Sequence, residues 1–187
     1  MKMIIAALTL GALSLSATAQ DKELLRIIGT DTKFVVQTKS GPFEITRTMT
    51  PCAKNKGWLQ PLIPVPGVHP VTEIEILHAM NDKEALIVDM REPEDRLKGT
   101  IPNSYHIPYT EVAARMNELG CAKAAGKWDC GKARKVYAFC NGPVCPQSPT
   151  AINAMVRDGF PVDKIYYYRG GMLDWDALGF PSVKGEF

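Results

Sequence analysis

The chain has 187 residues, 22 Lys and Arg against 20 Asp and Glu for a net charge of +2, and 45% hydrophobic residues. That length suits one ordinary domain with a small appendage, able to bury a core without help from disulfides. The balanced charge gives no basis for binding nucleic acid or an anionic membrane surface, and the sequence carries no heptads, internal repeats or low-complexity tract.

The first segment reads MKMIIAALTLGALSLSATAQ. Lys2 supplies a short positive region, Ile4 to Leu15 is apolar and uncharged, and Ala17-Thr18-Ala19 is a small-x-small cleavage signal. The apolar run is short of the roughly 20 residues of a membrane span. No twin arginine precedes it, and no Cys follows the small residues. The expectation is a signal peptide over 1–19, cut before Gln20, and a periplasmic mature protein with no membrane association after cleavage. All five cysteines (Cys52, Cys121, Cys130, Cys140 and Cys145) lie in the mature part. Cysteines in an oxidising compartment pair unless one is reserved, and an odd number leaves at least one thiol over.

Residues 20–70 read as a hairpin and a connector. Phe34–Thr38 and Phe43–Arg47 alternate like strands around Lys39-Ser40-Gly41-Pro42. Pro51, Pro61, Pro64, Pro66 and Pro70 then punctuate an extended segment that Trp58, Leu62, Ile63 and Val65 are expected to pin to the main domain. From Val71 to the end the pattern becomes that of a domain. Thr72 with Glu75 predicts a capping box for a helix to about Met80. Ala85–Asp89 is a nearly all-apolar strand of the kind buried on both faces of a parallel sheet. Thr110 predicts the cap of a helix to Leu119. Cys121 and Cys130 bracket an excursion that a local disulfide would staple, with pairing of Cys52 to either one as the competing arrangement. Lys135–Phe139 is a second buried strand. Ser148-Pro149 reads as N-cap and N1 of a helix ending near Gly159. Lys164–Tyr168 is a third strand, and Gly170-Gly171 opens a last helix from Met172 to Leu178. Strands alternating with helices at this spacing predict a parallel α/β sheet.

The informative stretch is VYAFCNGPVCPQSPTAINAMVRDG. A buried strand ends at Cys140, a loop with Gly142 and Pro143 follows, and a helix comes next. Backbone N–H groups of such a loop can curl around the sulfur, and the helix N-terminus adds partial positive charge. Both favour the thiolate, which is the nucleophile.

Segment 85–181 resembles the rhodanese domain. IVDMREPEDRLKGTIPNSYHIPY is similar to the family's aspartate–x–arginine strand end and its glycine–x–isoleucine–proline turn. Cys140 stands at a strand end entering a loop. YRGGMLDWDALGFP resembles the closing pattern, here Gly170, Gly171, Trp175, Gly179 and Pro181. The resemblance implies a parallel sheet flanked by helices, with Cys140 as the catalytic thiol and no metal or organic cofactor. Asn141, Gly142, Pro143, Val144, Cys145, Gln147, Ser148 and Arg169 would line the substrate site. Asp89 and Arg91 would fix nearby loops through ion pairs with Glu92, Glu94 or Asp95, and Gly170 and Gly171 would support the loop. Cys140 would take the outer sulfur of thiosulfate, a polysulfide or a persulfide and pass it to a thiol acceptor, a small molecule or a periplasmic protein, by ping-pong covalent catalysis.

The loop departs from the family pattern. Cys145 stands where a basic residue is common, and there is no Arg or Lys from Asn141 to Thr150. Without an arginine to clamp a phosphoryl group, phosphatase chemistry is disfavoured. A polysulfide or protein persulfide demands less anion clamping than thiosulfate. Two further readings stay open: a thiol–disulfide redox protein using Cys140 and Cys145, and a non-catalytic module that binds a partner. The cysteine spacings lack a close metal-ligand pair, and His69, His78 and His106 have no evident partners in the sequence.

Overall fold

The structure, a computed structural model, describes residues 23–50 and 56–185. The expected signal peptide and Cys52 lie outside the described residues.

Strand β1 (Leu24–Leu25), β2 (Lys33–Thr38) and β3 (Gly41–Thr48) form a small antiparallel sheet in the order β1-β3-β2. The hairpin follows the sequence reading, with Thr38 opposite Gly41 across the turn. Its supports are thin: Phe34, Val35, Phe43 and Ile45 are all exposed. The connector is held differently from expectation. Leu62 and Ile63 stay exposed, whereas Gln60 and Val68 are buried and Val65 packs on the core. Backbone polarity decides this, because the Gln60 N–H donates to the Pro143 carbonyl at 2.9 Å.

The main sheet has five parallel strands in the order β4-β10-β9-β5-β6: β4 (His69–Val71), β5 (Ala85–Asp89), β6 (Tyr105–His106), β9 (Lys135–Phe139) and β10 (Ile165–Tyr168). Because His69 and Pro70 pair with Tyr166 and Tyr167, the sheet starts before the expected boundary at Val71. Helix α1 (Glu73–Ala79) has its expected cap, with the Glu75 carboxylate accepting from the Thr72 N–H and hydroxyl at 2.8 and 2.9 Å. Helix α2 (Pro93–Lys98) follows β5. One core lies on the face covered by α3 (Gln147–Arg157), with Val88, Val136, Ala138, Ile165 and Tyr167 against Ala151, Ile152 and Met155. The other lies under α1 and α4 (Gly171–Ala177), with Ile87, Phe139 and Tyr168 against Ile76, Met172 and Trp175. Burial on both faces is why β5 and β9 are almost wholly apolar.

Two helix expectations change. Residues 110–119 form turns and a 3-10 segment over Met116–Leu119 rather than an α-helix. Bonds such as Ala114 N–H to Glu111 carbonyl close three residues apart, yet Val112, Met116 and Leu119 are still fully buried. The apolar spacing marked a buried face, which tight turns satisfy as well as a helix does. α3 begins at Gln147, two residues earlier than expected, so Ser148 and Pro149 lie inside its first turn. Proline is tolerated there because the first-turn N–H groups have no helical partner in any case. Between these segments, β7 (Ala122–Ala124) and β8 (Lys127–Asp129) form a short hairpin.

Candidate active site

β5 and β9 are neighbours, and the chain leaves β5 toward β6 on one side while β9 lies on the other. Their C-terminal ends therefore border the switch point where open α/β sheets bind ligands. Asp89 ends β5 and Cys140 directly follows β9.

The Cys140 loop rests on the start of α4. The Met172 and Leu173 N–H groups donate to the Cys140 and Asn141 carbonyls, both at 3.0 Å. Gly171 makes this approach feasible. It has φ +55°, and a Cβ there would collide with the Cys140 carbonyl. Asn141 is fixed from the other side, with its Nδ2 donating to Asp95 Oδ2 at 2.8 Å and its Oδ1 accepting from Arg91 at 3.4 Å. Within the loop, the Cys145 N–H donates to the Gly142 carbonyl at 2.9 Å. The Pro143 carbonyl carries the bond from Gln60 and Val144 lines the outer cleft.

Arg91 does not pair with Glu92 or Glu94. Its Nε and Nη2 grip the two Asp89 carboxylate oxygens at 2.8 and 2.7 Å, and Nη2 also donates to the Gly99 carbonyl at 2.7 Å. Thr100 donates to the same carboxylate at 2.7 Å, and Arg96 stands 3.6 Å from it. The sequence reading missed Arg96 and Thr100, because fixing Asp89 requires the glycine turn to fold back over β5. Asp95, by contrast, reaches the loop directly.

Cys121 and Cys130 form a disulfide, while Cys140 and Cys145 are free, both 1% exposed. As a neutral thiol, Cys140 donates to the Cys145 carbonyl at 3.4 Å, and Cys145 donates to Gln147 Oε1 at 3.4 Å. Burial pushes the Cys140 thiol up. Its anion, however, gains hydrogen bonds from the Cys145 thiol, the Ser148 side chain and the N–H groups of Ser148 and Gly142, and these bring it down to about 7. The N-terminus of the 11-residue α3 acts in the same direction. Cys145 moves the opposite way, held far above an ordinary thiol by its hydrogen bond to Cys140 and by burial. Of the two thiols, Cys140 ionises the more readily and Cys145 keeps its proton. Arg169 is partly buried at the edge of this group and acts electrostatically on Tyr167 and Asp174.

Outside the loop lies a cleft of about 730 Å³ whose walls include Asn141 to Val144, Lys98, and Arg47 and Lys56 from the N-terminal segment. Arg47 is anchored by the Arg26 carbonyl at 3.0 Å and by the Gly57 carbonyl, and Lys56 pairs with Glu23 at 2.8 Å.

The chain matches the Rhodanese-like domain family over residues 73–178, more than half its length, and belongs to that family. It is 30% identical over 115 residues to the HTH-type transcriptional regulator Rv0324 of Mycobacterium tuberculosis, a match that covers 62% of this chain and only 45% of the regulator. It is 26% identical over 104 residues to a sulfurtransferase of Allochromatium vinosum, covering 56% of this chain and 83% of that one. Among solved structures, a rhodanese-related protein from Thermoplasma volcanium matches at 22% identity and a TM-score of 0.46, covering 62% of this chain and 97% of that one. The BH2092 protein from Bacillus halodurans matches at 18% identity and a TM-score of 0.49, with coverages of 63% and 77%.

Proposed function

We propose that this protein is a periplasmic sulfurtransferase that carries sulfane sulfur as a persulfide on Cys140. The observation that carries the reading is the environment of that one sulfur, cradled by loop N–H groups, a helix N-terminus and a neighbouring thiol, and ionised near neutral pH. Family membership and the Allochromatium vinosum relative support the reaction class. The N-terminal segment supports the compartment.

The Cys140 thiolate attacks the outer sulfur of a donor, the donor's S–S bond breaks, and its remaining sulfur leaves with the bonding pair. An acceptor thiolate then attacks the outer sulfur of the persulfide and regenerates Cys140. Cys140 is 1% exposed, and its loop neighbours Asn141 to Val144 wall a roomy outer cleft. A slim polysulfide or persulfide chain suits so buried a thiol, because its bulk can stay in the cleft outside the loop. Cations outside the loop, Lys98, Arg47 and Lys56, offer this body a general attraction without a tight clamp on a dianion. Polysulfide or a persulfide is therefore the preferred donor and thiosulfate the poorer one.

Transfer to a thiol acceptor at several fixed donor concentrations should give parallel double-reciprocal lines, abolished in Cys140→Ser. Intersecting lines with an active Cys140→Ser protein would contradict the proposal. A second reading, a reversible Cys140–Cys145 disulfide, draws support from two free thiols sharing one buried pocket. Cys145→Ser separates the two, since it abolishes a redox activity but leaves Cys140 able to take up sulfur.

A further inference from the structure

Under the Cys140 loop lie buried polar side chains whose hydrogen-bonding capacity the sulfur chemistry above does not fully use. Tyr167 is fully buried in β10, and its hydroxyl has no hydrogen-bond partner among the described residues. Ser148 is equally buried in the first turn of α3, and apart from the Cys140 anion its hydroxyl has no partner among the described residues. The buried Nε of Arg169 is a third unpartnered donor. A buried polar atom without a partner is destabilising, and a phenylalanine at 167 would avoid that cost.

Strand register explains why these groups share one place. β10 runs parallel to β9 with Tyr167 opposite Ala138. Alternation puts Ala138 and Cys140 on one face, and Tyr167 and Arg169 on that same face, the one α3 covers. Side chains in strands lean along the strand, so a residue as long as tyrosine, diagonal to Cys140, reaches its surroundings. Electrostatics agree. Burial raises the Tyr167 phenol, negative charge on Cys140 raises it further, and Arg169 opposes them. A phenol so placed keeps its proton when Cys140 is ionised, which makes it a donor and not a base.

Building on the sulfur-carrier reading, we propose that Tyr167 is a positioning residue whose buried hydroxyl, together with that of Ser148, donates to the anionic sulfur on Cys140 in place of the cation missing from the loop. When Cys140 takes the outer sulfur from R–S–S⁻, one S–S bond forms, one breaks and RS⁻ departs with the electron pair. The product, Cys140–S–S⁻, keeps one negative charge but carries it one S–S bond farther from the backbone. The donors that meet the resting thiolate must follow the charge outward, and the Tyr167 hydroxyl, which has no partner of its own among the described residues, does so beside the Ser148 hydroxyl. Neutral hydroxyls in a buried floor suit a soft monoanionic sulfur and discriminate against dianions such as thiosulfate or phosphate.

Tyr167→Phe keeps the ring and deletes only the hydroxyl, so it should melt at or above the wild-type temperature. The groups acting on the Cys140 sulfur are the Cys145 thiol, the Ser148 hydroxyl and the Gly142 and Ser148 N–H groups, with the Tyr167 hydroxyl coupled to its charge and Arg169 acting on that hydroxyl. Alkylation by a neutral haloacetamide is the readout. In Tyr167→Phe the inflection should move to higher pH and the rate at pH 6 should fall about two- to tenfold, the range of one ordinary hydrogen bond. Ser148→Ala should act in the same direction. After polysulfide loading, the Tyr167→Phe persulfide should decay faster than the wild-type one. A Tyr167→Phe profile identical to wild type would overturn the proposal, whatever Ser148→Ala does. Alkylation needs no sulfur donor. A wild type that takes up no sulfur therefore counts against the function proposed above, while the alkylation profile still decides the role of Tyr167.

Discussion

Cys140 differs from the other described cysteines in what its sulfur meets as an anion. Alkylation of Cys140 should follow a single ionisation near pH 7, levelling off above it and falling about tenfold per pH unit below, because only the thiolate reacts. An inflection at or above the ordinary thiol value of about 8.5 would remove the activation argument. Asp89 presents a different kind of dependence. Its carboxylate is fully buried and neutralises Arg91, itself 3% exposed, with Arg96 close by. Asp89→Asn leaves those cations buried without their counter-charge and should cost about 3–5 kcal/mol, read as a lower denaturation midpoint. Gly171→Ala should destabilise by about 2 kcal/mol or more and disturb Cys140 reactivity together, since a Cβ there meets the loop carbonyl at a positive φ. A Gly171→Ala protein with wild-type stability and alkylation would show that the loop does not rest on α4 in this way. The sequence made Cys140, the loop and the double glycine legible, because strand end, glycines and helix start are local signals. It hid the Asp89–Thr100–Arg96 network and the Gln60 contact, since both depend on distant segments folding back.

At the scale of elements, strands β5, β9 and β10 follow the sequence closely because runs buried on both faces have little else to be. The segment 110–119 does not, because apolar spacing reports a buried face and leaves the backbone free to choose turns. Tyr167 belongs to the same lesson. A run of three tyrosines reads as a strand, and only the register against β9 separates the residue facing Cys140 from its neighbours. The β7–β8 hairpin carries its own strain. Ala125 sits at φ +50° beside Gly126 at +81°, a turn that favours Asn or Gly over Ala. Ala125→Asn should stabilise by about 0.5–1 kcal/mol, visible as a raised melting temperature; a lowered one would contradict the turn geometry. The Cys121–Cys130 disulfide closes the base of this hairpin, with a sequence separation of 9. Its loss should cost about 2–3 kcal/mol by loop-closure entropy. The hairpin is not part of the sulfur cradle, so Cys140 alkylation should be unchanged in that variant.

Across the whole molecule, the stability of the parts is uneven. The five-stranded sheet has a core on each face, whereas the N-terminal hairpin leaves Phe34, Phe43 and Ile45 exposed. Amide exchange should accordingly be slow in β5 and β9 and much faster in β2 and β3. Within the connector the Gln60 amide should be protected, because it donates to the loop that carries Cys140, as should the Leu59 amide, which donates to the Ile27 carbonyl. Through that bond the N-terminal segment touches the reactive loop, and through Arg47 and Lys56 it walls the outer cleft.

The central claim is that Cys140 carries sulfur, and intact mass spectrometry after exposure to polysulfide tests it most directly. The account predicts a gain of one sulfur atom on the wild type, removed by reductant and absent from Cys140→Ser. No adduct on the wild type, or an equal adduct on both proteins, would contradict it.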